Sequence, residues 1–247
     1  MSKILLESPV YTLEAALLAA EYGVDRLELC ADFGEGGVTP SAGMLSYLKS
    51  TIQIPVFVMI RPRGGDFFYS EEELEVMHRE IEILKSFGAD GFVFGILQAD
   101  GTINTDACSA LIRAAGGIPC TFHRAFDASS DMESALEAVI DCGFDRILTS
   151  GGKNTVTEGL EVIKKMMLTA GDRIIIMPGG GTEPSHLAQL HSTGYLKEVH
   201  SSCKSYRNSR STYINALLQE GVGNADQVLT VDKALVEGFQ EEIVKLE

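Results

Sequence analysis

The chain has 247 residues, of which 45% are hydrophobic, so it can bury one large core. Its formal net charge of -15 at pH 7 argues against nucleic acid or a membrane surface as a partner, and no apolar run approaches the roughly 18 residues that a membrane span needs. Five scattered cysteines without a Cys-x-x-Cys pair indicate neither a disulfide framework nor a zinc site, and no signal sequence precedes the first strand-like run, so we expect a cytoplasmic protein.

Eight short apolar runs alternate with eight helix-period stretches along the chain. The first helix is predicted from Thr12 to Tyr22, and the third from Ser70 to Phe87, with Ser70 and Glu73 as a capping box. The other helices are predicted to begin near Ser41, Asn104, Ser130, Thr155, Pro184 and Asp232. The predicted strands are Ile4 to Glu7, Arg26 to Cys30, Val56 to Arg61, Gly91 to Leu97, Cys120 to Arg124, Arg146 to Ser150, Ile174 to Met177 and Lys197 to Ser201.

This alternation predicts an α/β fold with a parallel sheet, because its strands are continuously apolar and each is followed by a helix. Eight such units in about 250 residues favour a (β/α)₈ TIM barrel, formed as a single domain over residues 1–247. A doubly wound open sheet is the alternative, since strand order cannot be read from one sequence.

Two glycine-rich loops, residues 31–40 and 62–70, follow the second and third strands. In a barrel both lie on the face that carries active sites. A later segment, residues 203–230, has a polar middle at 205–211, which we interpret as mobile or as an oligomer contact.

Polar side chains recur at strand positions whose neighbours are apolar. Alternation along each strand assigns leucine, valine and isoleucine to the helix-facing side and the others to the barrel interior. Because branched aliphatic residues ordinarily fill a barrel, so many polar groups on one axis predict a pocket. The predicted inward residues are Glu7, Glu28, Cys30, Met59, Arg61, Thr121, His123, Ser150, Met177, Glu198 and His200.

Each of these residues also has a purely structural interpretation. Glu28 and Arg61 could form a buried ion pair without chemistry. His123 and His200 could be hydrogen-bonded core histidines, and the two methionines could fill gaps in the packing. Arg124 has the opposite parity to His123, so it lies past the strand end or turns towards a helix.

Two glycine runs indicate an anion site. Ser150 and Gly151 open the run after the sixth strand, and Gly179, Gly180 and Gly181 follow the seventh. Bare backbone N–H groups before a helix bind anions, and barrels often hold phosphate near the loops after strands 7 and 8. A tight turn would need glycine as well.

The chain resembles the CutC family, which is named for copper homeostasis, over nearly its whole length. The matching runs are residues 26–32, 35–41, 59–67, 121–127, 148–152, 176–181 and 198–200, with Val38 where leucine is commoner. The resemblance implies a cytoplasmic, homo-oligomeric barrel that binds Cu(I). It carries over Glu28, Cys30, Arg61, Arg63, Asp66, His123, Arg124, Asp127, Ser150 and His200 as site positions.

Copper binding is one hypothesis for the predicted pocket. Cu(I) prefers thiolate, thioether and imidazole ligands. The inward residues of these types are Cys30, Met59, His123, Met177 and His200. They are single residues on different strands, and the carboxylates and arginines beside them are hard partners.

The alternative hypothesis is a lyase or isomerase that acts on a small anionic or phosphorylated metabolite. Glu28 or Glu198 would be the base, and His123 or His200 would act as an acid or polarise a carbonyl. Arg61 and the glycine loops would hold the anion, together with Arg63, Asp66, Arg124 and Asp127. A Schiff-base aldolase is disfavoured, because no lysine points inward from a strand. A third hypothesis is a scaffold whose pocket only binds.

Overall fold

Eight parallel strands form the centre of a computed structural model of the chain, which describes residues 3–213 and 226–247. All eight begin within one residue of their predicted start; six end one to three residues before the predicted end, and the first and seventh end after it. The strands are β1 (Leu5–Val10), β2 (Arg26–Leu29), β3 (Val56–Met59), β4 (Gly91–Phe94), β5 (Cys120–Phe122), β6 (Arg146–Thr149), β7 (Ile175–Pro178) and β8 (Glu198–His200).

The order of the strands identifies the fold as a nearly closed barrel. Neighbours follow chain order from β1 to β7, and β1 also pairs with β8. A doubly wound sheet would reverse its order at a switch point. Since this sheet has no reversal, the predicted (β/α)₈ barrel is confirmed and the open sheet is excluded.

Helices alternate with the strands as the sequence predicts. Thr12, Ser41, Asn104, Thr155 and Asp232 each cap a helix with a side-chain oxygen, and Ser70 and Glu73 form the predicted capping box. Asp131 caps the fifth helix, one residue after the predicted Ser130, and Pro184 opens a 3₁₀ turn that leads into the seventh helix. The helices are α1 (Leu13–Glu21), α2 (Ala42–Thr51), α3 (Glu71–Ser86), α4 (Thr105–Ala115), α5 (Met132–Cys142), α6 (Val156–Ala170), α7 (Leu187–His191) and α8 (Lys233–Leu246).

Two separate groups of apolar side chains confirm the predicted strand parity. The large core lies between strands and helices and contains Leu27, Leu29, Val58 and Val199. A small inner cluster consists of Cys30, Phe57, Met59 and Val93. Beside this small cluster the barrel interior carries many polar residues, together with Met177 and Leu148.

An antiparallel hairpin, β9 (Lys204–Asn208) and β10 (Gln227–Val231), follows β8 and packs on α1. Arg207 forms a two-pronged ion pair with Glu14, and the Thr12 hydroxyl donates to Leu229 O. The part of the predicted polar segment at 204–208 is thus a strand, and its role as an oligomer contact stays a prediction. Residues 214–225 lie outside the described residues. Within the described ranges, no helix combines the length and apolar character needed to cross a bilayer.

Gly159 allows α6 to touch the loop after β6. A Cβ atom on Gly159 would overlap Ser150 O. We expect Gly159→Ala to destabilise the fold by about 1–3 kcal/mol, although alanine is the better helix former. Gly238→Ala in α8 is the matched control, since the nearest atom to its Cβ would be Pro184 Cγ at 3.7 Å. That variant is expected to gain about 0.5–1 kcal/mol in urea unfolding; equal effects at the two sites would contradict the close approach.

Candidate functional site

A buried set of paired charges forms the floor of the barrel. Arg26 Nε lies 2.5 Å from Glu7 Oε2, and its Nη2 donates to Glu198 Oε2. Arg146 Nε donates to the same Glu198 oxygen at 3.0 Å. The Phe57 ring lies against both guanidinium groups, at 4.5 Å from Arg26 Cζ and 5.0 Å from Arg146 Cζ. Because all four charges have partners, the floor is a structural network.

This floor contains two residues that the sequence analysis placed in the site. Glu198, a predicted base, is neutralised by two arginines and does not line the cavity above. Met177, a predicted copper ligand, receives Arg26 Nη2 at 3.5 Å from its sulfur. The alternation of side chains along a strand predicts that a residue points into the barrel but not how far along the barrel axis it lies. Glu198 and Met177 were therefore predicted in the cavity, whereas they lie in the floor below it.

His200 connects the floor to the cavity. Its Nδ1 lies 2.8 Å from Glu7 Oε1, and its Nε2 lies 3.9 Å from Glu28 Oε2. Burial would raise the pKa of Glu7, but the charges of Arg26 and His200 lower it to about 2. Burial lowers the pKa of His200, and the bond to Glu7 and the nearby carboxylates more than offset this, so the pKa is raised. The surroundings of His200 therefore favour its protonated form.

Glu28 is the carboxyl group of the cavity wall. It is 97% buried, and its Oε1 has no hydrogen-bond partner among the described residues. Its Oε2 accepts from Cys30 Sγ at 3.6 Å. Burial raises the pKa of Glu28 to about 7, against the lowering effect of His200. A carboxyl group in this state exchanges protons at neutral pH.

Arg61 brings a buried positive charge to the same cavity. Its guanidinium donates to the backbone oxygens of Glu35 and Gly37 at 2.6 and 2.9 Å and of Gly65 at 2.9 Å. No carboxylate of the described chain pairs with it, and its Nε is buried without a partner. The predicted alternative of a Glu28–Arg61 ion pair is therefore wrong, because the guanidinium N–H groups of Arg61 donate to backbone carbonyl oxygens of the loops.

His123 offers the cavity a hydrogen-bond donor. Its Nδ1 accepts from Ala125 N–H at 3.2 Å, which assigns the ring proton to Nε2. Nε2 is buried and has no partner in the described ranges. Burial and the charge of Arg61 lower the pKa of His123 to about 3, so the ring is neutral. With one nitrogen accepting and the other protonated, the ring has no free lone pair for a metal.

One cavity of about 720 Å³ lies at the carboxyl ends of the strands, and its lining includes Glu28, Arg61, His123 and His200. Its walls include the Tyr11 and Phe33 rings, which meet edge to face at 5.1 Å between centroids. Lys204 lies past β8, as predicted, yet reaches the wall with Nζ 4.7 Å above the Phe33 ring. The full polar lining is Tyr11, Glu28, Glu35, Arg61, His123, Arg124, Thr182, Glu183, His200, Ser201, Ser202 and Lys204.

The glycine run after β6 already holds an anion of the protein itself. Asp127 accepts from the backbone N–H groups of Ser150 and Gly152 at 3.0–3.1 Å. It also accepts from the hydroxyls of Thr149 and Ser150 and from Arg124 Nε at 2.8 Å. The anion-binding capacity predicted for Asp127, Ser150 and Gly151 is thus used internally, and only Arg124 of this group lines the cavity.

The run after β7 is open to the cavity. Gly179 N–H donates to Thr149 O at 2.9 Å, whereas the N–H groups of Gly180 and Gly181 have no acceptor in the described part of the chain. Gly180 and Gly181 line the cavity. Arg63 and Asp66 lie outside it, because Arg63 binds Glu73 at 2.6 Å at the start of α3.

The five soft donors predicted for copper occupy different places. Cys30 and Met59 pack together in the inner cluster, and Met59, His123 and His200 line the cavity. Among residues 3–213 and 226–247, the one group of three histidine, cysteine or acidic side chains with ligand atoms within 4.8 Å of one another is Glu7, Glu28 and His200. The five donors therefore do not converge on one point, and only Cys30 and Met59 remain as a soft pair.

Sequence reasoning missed Arg26, Arg146 and Tyr11. The first two carried a usable signal, because Arg26 precedes Glu28 by two residues and Arg146 precedes Ser150 by four, which gives them inward parity. Tyr11 directly follows β1 at the carboxyl edge of the barrel. Burial, with Cys30 and Glu28 nearby, raises the pKa of its hydroxyl, so Tyr11 is a neutral phenol.

Comparison with known proteins gives consistent matches. The CutC family matches residues 4–205. The copper homeostasis protein cutC homolog of Homo sapiens is 45% identical over 217 residues, which are 88% of this chain and 80% of that protein. The Mus musculus homolog is 44% identical over 221 residues, or 90% and 81% of the two chains. A solved Streptococcus agalactiae CutC structure has a TM-score of 0.74 at 34% identity, covering 81% of this chain and 98% of that one.

Proposed function

Because the chain belongs to the CutC family, whose relatives share this barrel, we propose that its cavity binds a small anionic metabolite and catalyses a proton transfer on it, as a lyase or isomerase does. One observation carries the proposal. Within residues 3–213 and 226–247, Arg61 is buried without a carboxylate partner and lines the same cavity as Glu28, whose buried Oε1 has no hydrogen-bond partner. The site thus has a positive charge to bind an anion and a carboxylate to exchange a proton.

The energetics of burial support an anionic ligand. An isolated charge in a protein interior is costly unless it is paired. Among the described residues Arg61 donates to neutral carbonyl oxygens alone, and the lining also contains His200, whose surroundings favour its protonated form. Gly180 and Gly181 also line the cavity, and their N–H groups have no acceptor among the described residues. A phosphate or carboxylate would satisfy these groups together.

Anion binding is tested with Arg61→Met. We expect the wild-type protein to bind members of a panel of phosphorylated and carboxylate metabolites, with inorganic phosphate as the simplest probe, and Arg61→Met to bind the same compounds at least about tenfold more weakly. Arg113, an exposed arginine of α4, provides the control Arg113→Met. Isothermal titration calorimetry measures both. No binding by wild type across the panel, or equal binding by Arg61→Met, would reject the proposal.

Cu(I) as cargo is a second candidate, because the human and mouse relatives are named for copper homeostasis and because Cys30 and Met59 share the small inner cluster, of which Met59 lines the cavity. Thiolate and thioether are the donors that Cu(I) prefers. Burial and Glu28 raise the pKa of the Cys30 thiol, so binding would displace its proton.

The copper candidate is tested with Cys30→Ser. We expect this variant to lose stoichiometric Cu(I) uptake against a competing chelator, while Cys120→Ser in the outer core retains it. Unchanged affinity in Cys30→Ser would remove Cys30 from the site.

From the family resemblance and the acidic surface we also infer a cytoplasmic homo-oligomer without nucleic-acid or membrane partners. Light scattering after size-exclusion chromatography measures the assembly, and a monomer at cellular concentration would contradict it.

A further inference from the structure

The imidazole of His123 is fixed on three sides. Ala125 N–H donates to Nδ1, and the Phe67 ring lies 4.9 Å away between centroids. On the Nδ1 edge, a Cβ atom on Gly95 would lie only 2.7 Å from Nδ1, so the ring occupies the space that glycine leaves. Turning the ring over would place a C–H group at the Ala125 N–H and lose this hydrogen bond, so the observed orientation is favoured.

This fixed orientation determines what His123 presents to the cavity. Nδ1 is used as an acceptor, so the proton is on Nε2, which lies on the opposite edge and has no acceptor among the described residues. A neutral imidazole N–H is a poor source of protons but a good hydrogen-bond donor to an oxygen on which negative charge develops. His123 therefore fits the role of a polarising donor and does not fit that of a general acid.

Arg61 reinforces the same kind of ligand atom. The Phe67 ring lies 5.0 Å from Arg61 Cζ and also touches His123, so the two donors share one side of the cavity. A donor beside a positive charge stabilises an oxyanion more than a neutral hydroxyl. Glu28 lines the same cavity, and its buried Oε1 has no partner in the described chain, so this carboxylate oxygen is available as the basic atom.

We propose that the cavity takes an enolisable carbonyl compound, with its carbonyl oxygen on His123 Nε2–H and its adjacent C–H bond facing Glu28. This inference rests on the proposed function and names its substrate class. Glu28 removes the proton, the C–H electron pair becomes a C=C bond, and the C=O π pair moves to the oxygen. The oxyanion is held by the His123 N–H group and the charge of Arg61. Exchange is complete when Glu28 trades its proton with water and returns a solvent proton to the same carbon. In an α-hydroxy carbonyl compound, transfer of the hydroxyl proton to the oxyanion and return of the proton from Glu28 to the former carbonyl carbon complete an isomerisation.

The tautomer of His123 is measurable without a substrate. In ¹⁵N NMR of the imidazole groups at pH 7, we expect a neutral His123 ring with the proton on Nε2. Assignment comes from the loss of that signal in His123→Leu. Gly95→Ala, which pushes on the Nδ1 edge of the ring, should shift the signal even if His123→Leu folds poorly. A ring protonated on Nδ1, or on both nitrogens, would overturn the inference and leave anion binding at Arg61 untouched.

The substrate class is tested by solvent deuterium exchange. We expect the protein to exchange the α-hydrogens of at least one of dihydroxyacetone phosphate, ribose 5-phosphate and oxaloacetate in D₂O, and not those of glycerol 3-phosphate, which has no carbonyl group. His123→Leu should slow the exchange by about 10²–10³-fold and His123→Gln, which retains an N–H donor, by less. Binding of these anions without exchange would overturn the substrate class alone, whereas absence of any binding would reject the proposed function.

Discussion

Replacing Arg26 by methionine is expected to lower the free energy of unfolding by about 3–5 kcal/mol, the largest stability effect of any substitution considered for this chain. Arg26 is the shared partner of Glu7 and Glu198, and all three side chains are buried. Removing it leaves Glu7 with His200 alone and Glu198 with Arg146 alone. Urea unfolding at pH 7 measures the loss.

The loss of unfolding free energy caused by Arg26→Met should also depend on pH. The pKa of Glu7 is about 2 in the folded chain against an ordinary 4.5, so its ionised form stabilises the fold above pH 4.5 and this contribution is lost as the pH falls towards 2. The difference between wild type and Arg26→Met should therefore narrow below pH 4.5. Arg79→Met, which removes an exposed ion pair with Glu75, is the control and should cost less than about 1 kcal/mol. A similarly small cost for Arg26→Met would show that the floor network does not stabilise the fold.

Glu28→Gln is expected to reduce the proposed proton transfer by about 10²–10⁴-fold, because an amide of the same shape cannot accept the substrate proton. Binding should change much less, since the anion is assigned to Arg61 and the loop after β7. Deuterium exchange with the active compound of the panel gives the rate, and calorimetry gives the affinity.

A surface variant separates this effect from a general loss of charge. Glu241 is exposed on α8, and Glu241→Gln should leave both rate and affinity unchanged. If Glu28→Gln retained the wild-type exchange rate, the base would have to be another group. The proposed proton transfer by Glu28 would then be rejected, whereas the proposed binding of an anion by Arg61 would stand.

The fold and the membership of the central cavity follow from local patterns in the sequence. Strand residues alternate with a period of two, so the outward positions of Leu27 and Leu29 already place Glu28 inside the barrel. The same reasoning brought Arg61, His123 and His200 together with Glu28, and all four line one cavity. Helix starts were equally accessible, because a cap such as Ser70 with Glu73 acts within four residues.

The division of the interior into floor and cavity could not be predicted, because it depends on how neighbouring strands are staggered. Glu198 and His200 share a strand and a parity, yet only His200 reaches the cavity, while Glu198 meets Arg26 and Arg146 below. The direction in which a long side chain points could not be predicted from the sequence either. Arg61 could have met Glu28, but the carbonyls of the loop after β2 hold it instead.

The Phe57 ring and the guanidinium groups of Arg26 and Arg146 stack together in the floor of the barrel, below the cavity. Both guanidinium groups are buried and paired with Glu7 or Glu198, so the described residues fill this level of the barrel with paired charges. A ligand is therefore expected to enter and leave at the carboxyl ends of the strands, where the cavity lies, so product must depart before the next substrate binds. Release of product through this shared entrance would then limit the rate of turnover.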